Sequence, residues 1–157
     1  MSRLALILLA FLCSQAGAQE ADPIHWKSTS SRIPAKAGAL IRVPLSAAID
    51  VGWHLYSLKK LDGGPVPTTM AVAAGRPFRL DGEIESSDPI PMNDSRLGMT
   101  VELYLVKADF VLPVRIANDA SAGPHTLKVS VRYQTCSEKI CLSPKTVTIE
   151  VPVTVSR

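Results

Sequence analysis

The sequence predicts an all-β chain folded as a single immunoglobulin-like antiparallel sandwich, and three observations carry that expectation. Leu127, Val129, Val131 and Tyr133 alternate with Lys128, Ser130, Arg132 and Gln134, and Val147, Ile149, Val151, Val153 and Val155 repeat the pattern near the C-terminus. Period two marks a strand with one buried and one wet face. Twelve prolines and nine glycines break the 157 residues into short pieces, and beyond the first eighteen residues there is no Ala- or Leu-rich helical stretch. That pattern suits many turns between short strands. A chain of this length accommodates one ordinary domain, not the several of a multidomain enzyme. The formal charge of +3 is small and its lysines and arginines are scattered, so the electrostatic footprint of a nucleic-acid binder is missing.

The elements follow in order. Residues 1–18 read as an export signal: Arg3 gives a positive start, residues 4–12 are uninterruptedly apolar, and Ala16-Gly17-Ala18 is a small-residue cleavage site. The apolar run is about half of the ~20 residues that a membrane-spanning helix needs. Cleavage before Gln19 leaves 139 of the 157 residues and two of the three cysteines, Cys136 and Cys141, in an oxidising compartment. Residues 19–38, with Pro23, Pro34 and a Ser/Thr run, read as a partly ordered leader, and the sandwich is expected over 39–157.

Strands are expected at 40–45, 53–58, 70–73, 78–80, 101–107, 110–116, 127–133 and 147–155, about eight at sandwich spacing. Asp62-Gly63-Gly64-Pro65 and residues 118–123 supply turns, and Lys107-Ala108-Asp109 is short enough for a hairpin connection. Pro152 cannot donate to a ladder, which puts the last strand at a sheet edge or a bulge. Residues 86–98, with two prolines and several turn formers, read as an irregular loop, and long loops in compact domains tend to carry function.

The two remaining cysteines have four residues between them, too close to bridge facing sheets as in true immunoglobulin domains. Three readings stay open at this point. A structural staple closing so short a loop stabilises by about 2 kcal/mol, against about 4 kcal/mol for a bridge across some sixty residues. A redox dithiol uses the same closeness, because each thiol can attack a mixed disulfide formed by the other; Lys139 between them favours a thiolate and Glu138 opposes it. A metal site would recruit His25, His54 or His125, or pair His54 with Met92 and Met99 for a soft ion, but no histidine lies near the cysteines in sequence.

Three segments together narrow the choice. Gly52-Trp53-His54-Leu55-Tyr56-Ser57 is followed by Gly64-Pro65-Val66-Pro67-Thr68; Asp94-Ser95-Arg96-Leu97-Gly98 leads into Val101-Glu102-Leu103-Tyr104; and Tyr133-Gln134-Thr135-Cys136 runs through Cys141-Leu142-Ser143-Pro144. In this order, over most of the mature sequence, the chain resembles the N-terminal periplasmic domain of the DsbD family of thiol:disulfide interchange proteins. The resemblance implies a periplasmic sandwich whose cysteine pair passes electrons to oxidised exported proteins, a protein-disulfide reductase without cofactor or metal. It implies that Cys141 exchanges with the partner while Cys136 closes the internal disulfide, with His54, Tyr56, Tyr133 and Lys139 around them. It also implies a cap over the pair within residues 89–97, contributed here by Met92, Asp94 and Leu97.

A loop that opens on docking would keep the thiols of a reductant from adventitious oxidation. The family's usual cap aromatic is replaced, with Leu97 the nearest candidate and Met92 or Met99 as alternatives, and Leu-Ser-Pro stands where many relatives have Leu-Pro-Pro. Full-length members continue into a membrane electron conduit and a thioredoxin-like domain, so the expected partners are a separate membrane or thioredoxin-like donor and oxidised periplasmic clients. The rival expectation is a non-catalytic binding module whose disulfide is a passive hairpin clip, since fold alone does not decide function.

Overall fold

The structure, a computed structural model, describes residues 22–157. The expected export signal lies outside these residues. Every regular element among them is a strand: β1 (Ile24–Ser28), β2 (Ile33–Lys36), β3 (Leu40–Ile49), β4 (Trp53–Tyr56), β5 (Thr69–Val72), β6 (Phe78–Leu80), β7 (Glu85–Ser86), β8 (Ile90–Asp94), β9 (Met99–Tyr104), β10 (Lys107–Ile116), β11 (Gly123–Tyr133), β12 (Thr135–Ser137) and β13 (Lys145–Ser156). The all-β expectation holds.

Two larger sheets form the sandwich. One has the order β1-β3-β10-β6, with β7 also on β10; the other has the order β2-β13-β11-β5. Alternation decides which faces meet. Ala108, Phe110, Leu112, Val114 and Ile116 of β10 are buried while the residues between them are not, and β11 and β13 bury Leu127, Val129, Val131 and Ile149, Val151, Val153 in the same rhythm. With Val43, Leu45 and Ala47 of β3 these form one continuous core. Full burial of a Val, Leu or Phe side chain stabilises by about 1.5–3 kcal/mol, which makes this core the main driving force for folding.

A third, smaller sheet, β12-β4-β9-β8, lies at one pole. Its position follows from the chain path: β3 leaves the first sheet at Ile49 and becomes β4, β9 enters β10 beside Ala48, and β11 ends at Tyr133 and becomes β12. Three core strands therefore deliver their continuations to the same end of the sandwich.

Several elements differ from the sequence expectations, each for a physical reason. From residue 24 the expected leader is part of the sandwich: β1 pairs antiparallel with β3, and β2 pairs parallel with the end of β13. Ile24 is buried, Trp26 stacks 5.6 Å from Phe110 and 5.5 Å from Tyr133, and Asp22 is held by the Tyr133 hydroxyl and by Lys145 at 3.0 Å. These short strands gain their order from long-range partners and show too few alternations to be read locally. Residues 107–109 are not a hairpin connection. They begin β10, and their lysine and aspartate form its wet face with an ion pair of 2.8 Å; β9 and β10 belong to different sheets, joined through Leu105 and Val106.

Residues 86–98 are likewise not an irregular loop. Ile90 to Asp94 pair with Leu103 to Met99, and Pro91 is tolerated because β8 is an edge strand. The last strand is not an edge strand as Pro152 led one to expect: β13 lies between β2 and β11, and Pro152 is accommodated because β2 pairs with β13 only from Val153 onward.

Leu112 is fully buried at the centre of β10, opposite Val43. Leu112→Ala should lower the unfolding free energy by about 2–5 kcal/mol in a denaturant titration, the range for a large-to-small change in a packed core.

Candidate functional site

The cysteine hairpin is built by backbone pairing and one hydroxyl. In β12, Thr135, Cys136 and Ser137 stand opposite Leu55, His54 and Trp53 of β4, and Thr135 Oγ1 donates to His54 O at 2.7 Å. The chain then reverses. Ser137 Oγ accepts from the Lys139 and Ile140 amides at 3.2 and 3.1 Å, Ser137 N donates to Ile140 O at 2.7 Å, and Leu142 N donates to Thr135 O at 3.0 Å. A serine side chain mimicking a backbone acceptor is a known way to hold so tight a turn. The reversal brings the Cys136 and Cys141 Cα atoms to 4.0 Å, and the sulfurs are joined in a disulfide.

The two sulfurs have different surroundings. Cys136 is fully buried in a small cluster with Tyr56, Val101 and Leu103, with Leu61 and Met99 packed against it. Cys141 is exposed and lines a cleft of about 510 Å³ together with Tyr56, Gly64, Pro65, Leu97 and Ile140. The wall at Gly64 requires glycine, because a Cβ there would lie 2.8 Å from Leu61 Cβ. Gln134 ties this wall to the hairpin: its Oε1 accepts from Val66 N at 3.1 Å and its Nε2 donates to Leu142 O at 3.2 Å.

Tyr56 links the disulfide to the cap. Its hydroxyl lies 3.4 Å from Cys136 Sγ and 3.3 Å from Asp94 Oδ2. Burial, followed by the nearby Asp94 carboxylate, pushes its pKa up to about 12, so it remains a neutral donor at neutral pH. The His54 ring meets the Tyr56 ring edge-on at 5.1 Å. Burial pushes the His54 pKa down, opposed by Asp94 and reinforced by Arg96, and its Nε2 is buried without a partner.

The cap is the turn between β8 and β9. Asp94 Oδ1 accepts from the Arg96 and Leu97 amides at 2.9 and 3.2 Å, and Gly98, at φ +64°, donates its amide to Asp94 O at 2.8 Å. A glycine closes such a turn without strain. Arg96 then reaches across, its Nη2 donating to Ser137 O at 3.1 Å and its Nε 3.9 Å from Asp94. Burial raises the Asp94 pKa, but the two turn amides, the Arg96 charge and the Tyr56 hydroxyl outweigh it, and the net pKa lies below the usual carboxylate value.

Of the residues singled out from the sequence, His54, Tyr56, Asp94 and Leu97 gather with Lys139 around the disulfide. Tyr133 does not: its ring is in the main core and its hydroxyl meets Asp22, so it anchors the N-terminal strand. Met92 lines a second cleft on the His54 side, whereas Met99 packs beneath the buried sulfur. His25 lies against Asp50 and His125 against Ser121, and among the described residues no three His, Cys, Asp or Glu side chains converge as metal ligands. Sequence reasoning missed Arg96 and the fastening role of Gln134. An Asp-x-Arg-x-Gly turn is visible in the sequence, but the reach of its arginine to Ser137 is not.

A family model described as "Thiol:disulfide interchange protein DsbD, N-terminal" matches residues 28–152. No curated protein matches the chain. Solved structures similar to it include a family 123 glycoside hydrolase from Clostridium perfringens, with TM-score 0.43, 9% identity, and coverage of 87% of this chain but 28% of that one. The CssB subunit of colonization factor CS6 from enterotoxigenic Escherichia coli, complemented with a donor strand from CssA, gives TM-score 0.43 and 10% identity over 85% of this chain and 97% of that one. Self-complemented MyfA of the Myf fimbriae from Yersinia enterocolitica gives 0.35 and 16% over 83% and 98%.

Arg96→Ala should raise the rate at which iodoacetamide alkylates the reduced Cys141 thiol severalfold while leaving the denaturation midpoint nearly unchanged; an unaltered rate would mean the arginine does not limit access. Because the Asp94 pKa is depressed in the fold, its contribution is present above the unfolded value near 3.9 and is lost as pH falls through the lower folded value. Asp94→Asn should therefore lower the melting temperature at pH 7 and make progressively less difference as the pH approaches 2.

Proposed function

The chain belongs to the DsbD N-terminal family of periplasmic thiol:disulfide interchange domains, and from that premise we propose that it is an exported interchange module working through Cys136 and Cys141. The observation that carries the reading is the asymmetry of the disulfide, with Cys141 exposed in a cleft and Cys136 fully buried beside a phenol. A donor thiolate can approach only the exposed sulfur. It attacks Cys141 Sγ, a mixed disulfide forms, the internal S–S bond breaks, and Cys136 departs as a thiolate. The Tyr56 hydroxyl at 3.4 Å is placed to donate a hydrogen bond to that developing charge; a hydrogen bond to a charged group contributes about 1.5–3 kcal/mol.

The donor's second thiol then attacks its own sulfur in the mixed disulfide and releases Cys141. The donor leaves oxidised, and the pair is reduced by two electrons and two protons. In the second half-reaction the Cys141 thiolate attacks the disulfide of an oxidised exported protein, and Cys136 resolves the mixed disulfide. The client leaves as a dithiol and the internal disulfide is restored. The family implies thioredoxin-like donors and oxidised periplasmic clients. The cap turn borders the same cleft through Asp94, Arg96 and Leu97, so a partner that reaches Cys141 docks against it.

The midpoint potential of the pair, measured against a glutathione or dithiothreitol series, should lie among the exchanging disulfides; a value below about −300 mV belongs to inert structural bridges and would overturn the proposal. With Cys136→Ala, Cys141 should trap mixed disulfides with exported proteins, and with Cys141→Ala no such adducts should accumulate. Equal trapping by both variants would refute the assigned roles.

A further inference from the structure

The cap turn separates two clefts, and only the first of them is lined by a cysteine, Cys141. The second, of about 790 Å³, lies on the His54 side and has Trp53 and His54 along it. Val51, Met92, Leu105 and Val106, four of the large apolar side chains exposed among the described residues, line it, with Val51 wholly exposed and Val106 at 74%. Leu97 and Ile140, both also exposed, line the sulfur cleft next door. Asp94, Arg96 and Lys139 border both clefts, so the apolar surface continues past the cap from one to the other. Scattered exposed apolar residues need no explanation, but a contiguous set around a cleft marks a place where something binds.

The two valines sit where the fold has no use for them. Val51 is in the turn between β3 and β4, which is closed by Trp53 N donating to Asp50 O at 3.1 Å. Val106 has φ +64°, at the centre of a γ-turn in which Lys107 N donates to Leu105 O at 2.6 Å, while Ile49 N donates to Val106 O at 2.8 Å. A β-branched residue in the left-handed region is strained, and the turn itself is the rare, strained form. Asparagine or glycine would occupy the position more easily, and a polar side chain would leave no apolar surface in water. Strain of this kind clusters at sites of function.

The surrounding charges bear on what binds there. Asp50 lies in hydrogen-bond contact with His25 at 2.9 Å, Asp94 is held by its turn and by Arg96, and Glu138 and Lys139 are adjacent residues of opposite sign. This leaves little net charge to recruit a charged ligand. We propose that this cleft is the second half of the partner-docking surface: it seats an uncharged, apolar loop flanking the partner's reactive cysteine, while the neighbouring cleft admits that cysteine to Cys141. The assignment rests on the interchange reading and adds to it the surface, and the partner chemistry, that select which proteins exchange.

The test separates docking from chemistry. A Val51→Asp/Val106→Asn variant is compared with the wild type for reduction of the internal disulfide by reduced thioredoxin and by dithiothreitol, a thiol too small to use the second cleft. The variant should react at least tenfold more slowly with thioredoxin and within twofold of wild type with dithiothreitol, and Val106→Asn alone should melt no lower than wild type. Unchanged thioredoxin rates overturn the proposal. Equal slowing with both reductants overturns it too, because it signals a disturbed disulfide. So does a sedimentation profile in which the variant loses a self-associated form while its thioredoxin rate is unchanged. A wild-type protein that dithiothreitol reduces and thioredoxin does not would remove the interchange reading and this surface with it, whereas the other negative results remove the surface alone.

Discussion

Cys136 faces His54 across the β12–β4 pairing and is sealed beneath Tyr56, Val101 and Leu103, and from that contact the organisation of the pole follows. A sulfur buried this completely cannot be approached by a protein thiol, so the five-residue step to Cys141 converts a symmetric bond into one with a protected and an exposed end. Burial also decides the electrostatics. The same desolvation that hides the sulfur raises the Tyr56 pKa and pushes the His54 imidazole toward its neutral form, so these two side chains beside the buried sulfur are uncharged.

The sandwich supplies the rigidity this arrangement needs. β3, β10 and β11 are long, closely paired and buried along one face, and the small third sheet continues from their ends. Loops alone could not keep the Tyr56 hydroxyl within 3.4 Å of one sulfur and 3.3 Å of the cap carboxylate. The cap is closed by polar contacts: Asp94 organises the turn and Arg96 fastens it to the Ser137 carbonyl. Exposed ion pairs and hydrogen bonds of this kind are individually weak, about 0–1 kcal/mol for an ion pair in water. A partner that supplies replacement contacts can therefore open the cap at modest cost, whereas the core beneath it stays closed.

Much of this was legible locally. The period-two runs at 127–133 and 147–155 lie inside β11 and β13, and residues 78–80 coincide with β6, because a strand that buries one face writes its alternation into the chain. His54, Tyr56 and Asp94 were placed by their resemblance to family segments, and they do meet at the disulfide. The failures have a common cause. Tyr133 looked like a neighbour of Cys136 from three residues away, but alternation sends its ring into the core and its hydroxyl to Asp22, more than a hundred positions distant. β1 and β2 gain order from partners far along the chain, and β8 is a strand in spite of Pro91 because it has β9 on one side and solvent on the other.

What the sequence determined by itself is the kind of fold and the closeness of its two cysteines, since strand alternation and short-range spacing act over a few residues. What only the tertiary structure decided is the asymmetry: which sulfur is buried, that Arg96 is the cap's fastener, and that Val51 and Val106 border one cleft from turns fifty-five positions apart. Burial is a property of all the chain that surrounds an atom, and no local pattern of residues encodes it.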